Sequence, residues 1–177
     1  MLTNQVDSQA VVSEAPWYAV YTRHQHEKSV VRSVMRQGIE TFLPLYNSAS
    51  RWRDRIKTIQ KPLFPCYVFV RMESRWQGTV LQTPGVHFIV GTSLGPCRIP
   101  GDEIAAIARS LDHSVLLEPW PFLTAGDHVR VKTGPLEGIE GILVRKKNHE
   151  RLVLSVGLLQ RSVALEIDGY LLERIGK

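Results

Sequence analysis

Cysteine is nearly absent. Cys66 and Cys97 are the only two in 177 residues, far apart in sequence and without zinc-ligand spacing, so no disulfide framework is suggested and a reduced, cytoplasmic setting is. Also missing is any apolar run as long as a membrane span. The opening stretch, MLTNQVDSQAVVSEA, has neither the basic start nor the continuous apolar core of a secretion signal, and residues 1–15 read as a polar, disordered tail. No nucleophile elbow or paired-carboxylate motif occurs. TGPLEGIEG (133–141) is glycine-rich but lacks the Gly-Lys-Ser/Thr ending of a phosphate loop, so its glycines fit tight turns and strand bends. His24 and His26 are two apart and would leave a helix on different sides, while His87, His113, His128 and His149 show no ligand spacing. These absences argue against an enzyme, a bound cofactor and a metal site.

What is present is ordinary globular material, 44% hydrophobic and 22% charged, in a chain long enough for two small domains. The net charge of +5 is unevenly placed. Residues 16–60 carry eight Lys and Arg against three Asp and Glu, a concentration that points to an anionic partner touched by the first third of the chain.

WYAVYT (17–22) reads as a strand by its aromatic and β-branched content. From His24 to Gln37 the spacing turns helical, with Val30, Val31, Val34 and Met35 on one face and Lys28, Arg32 and Arg36 on another. Gly38 stops that helix. Ile39–Tyr46 is strand-like, limited by Pro44. Residues 47–61 read as a hairpin or arm on which Arg51, Arg53, Arg55 and Lys57 alternate.

PLFPCYVFV (62–70) reads as a strand that is apolar on both faces. A short helix follows at 74–81, a strand at 86–90, and a helix whose apolar spacing is Ile104, Ile107, Ala108 and Leu111. Asp102 and Glu103 suit the first turn of that helix. The order predicts an α+β unit over residues 16–113, an antiparallel sheet with helices packed on one face. The other face, with PLFPCYVFV in it, has no evident cover, and a bare aromatic face marks an interface. Residues 114–125 (SVLLEPWPFLTA) read as a linker. Over 126–177, HVRVK, IEGILVRKK, RLVLSV and SVALEI are short β segments with turns between them, as in a small closed barrel.

These blocks together resemble the NusG family of transcription elongation factors. WYAVYT, IETFLPLY, PLFPCYVFV and PGVHFIVG are similar to its N-terminal (NGN) domain, and GDHVRVKTGPLEGIEGILVRKK with RLVLSVGLLQRSVALEI to its KOW domain, in order across residues 16–175. TRHQHEK, RWRDRIK and LLQRSVALEID are most similar to the specialised RfaH/UpxY-type antiterminators of polysaccharide operons. Where many family members have Gly or Asn, this chain has Cys66, read as a buried, inert residue rather than a reactive thiol.

The resemblance implies a monomeric factor that binds the clamp helices of the largest RNA polymerase subunit through Tyr21, Phe64, Pro65, Tyr67, Phe69 and Phe88. Some of these six point into the core instead. It implies that Arg23, His24, Lys28, Arg32, Arg36, Arg51 and Arg53 meet the non-template DNA strand of the transcription bubble, with a plain solvated helix face as the alternative; Trp52 is a candidate for stacking an unpaired base. In the KOW domain, Leu158, Leu159 and Gln160 match the place where family members contact the ribosomal protein NusE, or Rho. The expected action is suppression of pausing and termination by stabilising the closed clamp. The alternatives are a housekeeping factor coupling polymerase to Rho or the ribosome, and an RNA-binding or ribosome-associated KOW protein. The KOW domain is expected to be β-structured throughout, because Gly134, Gly138, Gly141 and Pro135 disfavour a helix there, and to leave the aromatic face open.

Overall fold

The computed structural model describes residues 15–52, 55–113, 117–122, 126–146 and 149–175. The N-terminal unit contains strands β1 (Trp17–Thr22), β2 (Glu40–Phe42), β3 (Leu45–Trp52), β4 (Arg55–Pro62) and β5 (Tyr67–Arg71). Four shorter strands follow, β6 (Val86–Ile89), β7 (Gly91–Thr92), β8 (Gly95–Pro96) and β9 (Arg98–Ile99). Its helices are α1 (Glu27–Met35), α2 (Gln77–Leu81) and α3 (Gly101–Asp112). The central strand is β1, which pairs antiparallel with β5, β6 and β9, while β2 extends the sheet beyond β5. The α+β class expected from the sequence is the one observed.

Local chemistry sets the element ends. Gln25 has a left-handed backbone (φ 62), so α1 begins at Glu27 rather than His24, with the Glu27 carboxylate in its first turn where the helix dipole favours it. Gly38 (φ 77) ends the helical run, its N–H donating to Met35 O at 3.0 Å. Pro44 divides the expected strand 39–46 into β2 and the start of β3. The arm is a true hairpin, β3 pairing with β4 from Leu45↔Pro62 to Trp52↔Arg55.

PLFPCYVFV is only half a strand. Residues 63–66 form a turn, and β5 begins at Tyr67. Pro65 has no N–H for a ladder, and Cys66 sits at φ 67, a left-handed conformation that glycine adopts freely and asparagine tolerates.

The two faces of the sheet are covered differently. Tyr18, Val20, Val68 and Val70 bury against Val30 and Val34 of α1 and Val80 of α2. Ala19 and Phe69, on the opposite face, belong to one continuous buried cluster with Ile104 and Ile107 of α3 and with Val129, Leu154, Val156 and Val163 of the C-terminal unit. The second face is therefore not bare, contrary to the expectation of an uncovered side. Part of its cover comes from the C-terminal unit, too distant in the chain for any local pattern to show.

The C-terminal unit is a six-stranded antiparallel sheet of β10 (Leu117–Trp120), β11 (Asp127–Val131), β12 (Glu140–Lys146), β13 (His149–Val156), β14 (Arg161–Glu166) and β15 (Leu172–Arg174), in the order β10-β14-β13-β12-β11-β15. It is the expected β-rich domain, although among the described residues no pairing joins β10 to β15 to close a barrel. Leu152, Leu154 and Val156 alternate with Val153 and Ser155 as the period-two pattern requires, and the first three are buried in the large cluster. Gly134 (φ 93) and Gly138 (φ 81) shape the turn between β11 and β12. The expected linker is partly strand: Leu117–Trp120 pairs with β14 from Leu117↔Leu165 to Trp120↔Ser162. Pro119 is tolerated there because β10 is an edge strand, and Leu117 is buried.

Candidate functional site

The six aromatic and proline candidates separate into a surface set and a core set. Tyr21 lies at the centre of the surface set. Its ring stacks on Phe88 with centroids 5.0 Å apart and meets Tyr67 edge-on at 5.3 Å, and His87 lies beside it at 5.9 Å. The register explains the grouping, since β1 pairs Tyr21 with Tyr67 on one side and Phe88 on the other. Phe88 is 50% exposed, Tyr21 and Tyr67 are half-buried, and Pro65 is exposed on the adjacent turn.

Phe64 and Phe69 are different. Both are buried, at 1% and 0% exposure, and they pack edge to face with centroids 5.5 Å apart. Phe42 lies against Phe69 from β2. In this arrangement neither reaches the surface, unlike the other four. Apolar content alone could not separate them from Tyr21 and Phe88, because the turn at 63–66 changes which side chains face outward.

The C-terminal sheet leans on this region. The Arg161 guanidinium sits 5.5 Å from the centre of the Tyr67 ring, a cation–π arrangement. Arg109 of α3 donates to two backbone carbonyls of the β11–β12 turn, Pro135 O at 3.1 Å and Glu137 O at 2.8 Å. The Gly157 N–H donates to the Glu103 carboxylate at 3.3–3.4 Å. Burial there pushes the Glu103 carboxyl up from its ordinary value of 4.5, the Gly157 hydrogen bond opposes this, and Asp102 adds to the rise.

Leu158 and Leu159 occupy a single 3-10 turn right after Gly157 and pack against the same large cluster. Exposed Gln160 closes that turn with a left-handed backbone (φ 48). Leu158 and Leu159, both in the expected partner contact, are half-buried here. The aromatic face expected to stand open is thus met by the domain expected to stand apart from it.

The cationic candidates stay at the surface. Arg23, His24, Lys28, Arg32 and Arg36 are all exposed, the last three along one side of α1 and its C-terminal end. Lys28 Nζ donates to Gln60 O of β4 at 3.4 Å, so this face continues onto the β3–β4 arm. The Arg51 and Trp52 side chains, and Arg53 as a whole, lie outside the described residues.

One grouping was not legible in the sequence. A His24 ring nitrogen, a Glu27 carboxylate oxygen and Cys66 Sγ all lie within 4.8 Å of one another. Glu27 is buried and accepts the Cys66 N–H at 2.8 Å, and Cys66 Sγ is 3.7 Å from His24 Nδ1. Cys66 is half-buried rather than buried. Residues 24 and 27 meet residue 66 only through the fold, so no spacing rule could find them.

Comparison with known proteins agrees with this architecture. Residues 15–108 match the family model described as "Transcription termination factor nusG". The chain is 24% identical over 166 residues to the transcription termination/antitermination protein NusG of Helicobacter pylori, covering 85% of this chain and 93% of that protein. It is 27% identical to the protein of the same name from Deinococcus radiodurans, covering 86% and 95%. Its fold is similar to that in the solved structure titled "Domain interaction in Thermotoga maritima NusG", with a TM-score of 0.54 at 20% identity and coverage of 92% and 98%. No described helix is long and apolar enough to cross a membrane.

Proposed function

The chain belongs to the NusG family of transcription termination and antitermination factors, which are not enzymes, and on that premise we propose that it rides on RNA polymerase as a specialised antiterminator. The Tyr21–Tyr67–Phe88 surface docks on the clamp helices of the largest subunit. The exposed basic side of α1 faces the displaced non-template strand, and the closed clamp is the favoured state, so pausing and termination are suppressed. The work is done in the cytoplasm, where polymerase is.

The observation that carries this reading is the aromatic cluster itself. Three rings from three strands converge on one surface, one of them half exposed. Aromatic side chains are the usual anchors of protein interfaces. The adjoining cations need little geometry to follow a phosphate backbone. Docking through Tyr67 displaces the Arg161 guanidinium from its ring.

A second reading is favoured by the β-structured C-terminal domain and its Leu158–Gln160 turn. A housekeeping factor would use that turn to couple polymerase to NusE or Rho. Gln160 of that turn is already exposed, and departure of the sheet from α3 would add exposure to Leu158 and Leu159.

The test has two arms. Replacing Tyr67 and Phe88 together with Ala leaves the buried core intact and should weaken binding to a clamp-helix fragment by about thirtyfold or more; unchanged affinity in the folded double variant rules out the surface. Arg32→Ala with Arg36→Ala should reduce cross-linking to the bubble and flatten its salt dependence. Wild-type behaviour of that variant at low and moderate salt makes the stripe a solvated face.

A further inference from the structure

We propose that His24, Glu27 and Cys66 form a metal site, a three-ligand clamp for zinc with its fourth position open to water. Imidazole nitrogen, carboxylate oxygen and thiolate sulfur are all zinc ligands, and three protein ligands plus a water is an established zinc arrangement. The distances fit. Ligand atoms on a tetrahedral zinc, with Zn–S about 2.3 Å and Zn–N about 2.0 Å, lie roughly 3.5 Å apart. Here Cys66 Sγ and His24 Nδ1 are separated by 3.7 Å, and a His24 ring nitrogen, a Glu27 carboxylate oxygen and the sulfur fall within 4.8 Å of one another.

The supporting structure is also that of a site. Glu27 is a carboxylate with 4% exposure, in a position where an uncompensated charge is costly. Its hydrogen bond from the Cys66 N–H fixes the loop that carries the thiol, as second contacts to a ligand do in zinc sites. A carboxylate offers about four acceptor positions and this bond uses one. Of the three non-glycine residues with left-handed backbones among those described, two, Gln25 and Cys66, lie within this cluster's own loops.

On binding, the Cys66 S–H gives its proton to solvent, and the thiolate, the neutral His24 Nδ1 lone pair and the Glu27 carboxylate coordinate the cation. Nothing is oxidised or reduced. The effect is to staple the segment before α1 to the turn that leads into Tyr67. The inference does not depend on which partner the aromatic surface takes.

Cobalt(II) is the direct probe. Added to the full-length protein after treatment with a chelator, it should give a thiolate-to-cobalt charge-transfer band and the intense visible bands of four-coordinate cobalt. The signal should saturate at one ion per chain and be displaced by zinc. Cys97→Ser should keep the band and Cys66→Ser should lose it. His24→Ala, at an exposed position, and Glu27→Gln, which retains an acceptor for the Cys66 N–H, should each weaken zinc binding at least about tenfold. Absence of the band in the wild-type protein overturns the proposal, as does its persistence in Cys66→Ser. Undiminished zinc affinity in folded His24→Ala and Glu27→Gln overturns it equally.

Discussion

The two faces of the N-terminal sheet are built from the same strands yet completed in opposite ways. Val68 and Val70 point to a face closed by α1 and α2, helices of the same unit. Phe69, between those two valines, points to a face closed by α3 and by strands of the C-terminal unit. The first is the domain's own core. The second is cover supplied in part by the C-terminal sheet.

The largest effect that sharpens this contrast is a cavity on each side. Met72→Ala, in the helix-covered core, should cost about 2–5 kcal/mol of stability, and Phe69→Ala about 3–5 kcal/mol. Only Phe69→Ala should also speed exchange of the Gly157 amide, whose hydrogen bond to Glu103 spans the two units. Equal Gly157 protection in the two variants would show that the faces are not distinct.

A smaller effect is expected from Arg109→Ala. It removes two charge-assisted hydrogen bonds to the β11–β12 turn, worth about 1–2 kcal/mol together at an exposed site. Distance measurements between labels on α2 and β12 should report a more open population, while the melting of the N-terminal core stays put. A coincident fall in that melting would mean that the second face is core as well.

The smallest concerns pH. The carboxyl of Glu103 is raised by burial above its ordinary 4.5, so the folded, packed form binds its proton more readily than the unfolded chain. That contribution is fully present below about pH 4.5 and lost as pH rises through the raised value. Gly157 amide protection should therefore be slightly greater near pH 4.5 than at neutral pH, and Glu103→Gln should remove the dependence.

Most elements of the N-terminal unit were legible because each obeys one period. Trp17–Thr22 is dense in strand formers, Val30 and Val34 keep helical spacing, and Gly38 marks a stop. The turn at 63–66 was not legible, because apolar residues on both sides of Pro65 read as one continuous strand and a left-handed backbone at Cys66 leaves no trace in hydropathy. Strand β10 was hidden by Pro119 and Pro121, which resemble a linker until an edge position makes the first acceptable. Within the candidate surface, Tyr21, Tyr67 and Phe88 were found by kind, whereas the burial of Phe64 and Phe69 depends on contacts made far along the chain. The His24–Glu27–Cys66 cluster had no sequence signal at all.

Strand β10 also sets a leash length. While Leu117–Trp120 stays paired with β14, only the five steps from Asp112 to Leu117 separate α3 from the C-terminal sheet, and a fully extended chain covers at most about 18 Å in five residues. Peeling β10 away adds the residues up to Asp127 and lengthens the reach to roughly 50 Å. The same four residues thus work as a spool. Wound in, they hold the C-terminal domain at high local concentration beside α3; paid out, they let it search a far larger volume, with its return rate falling accordingly.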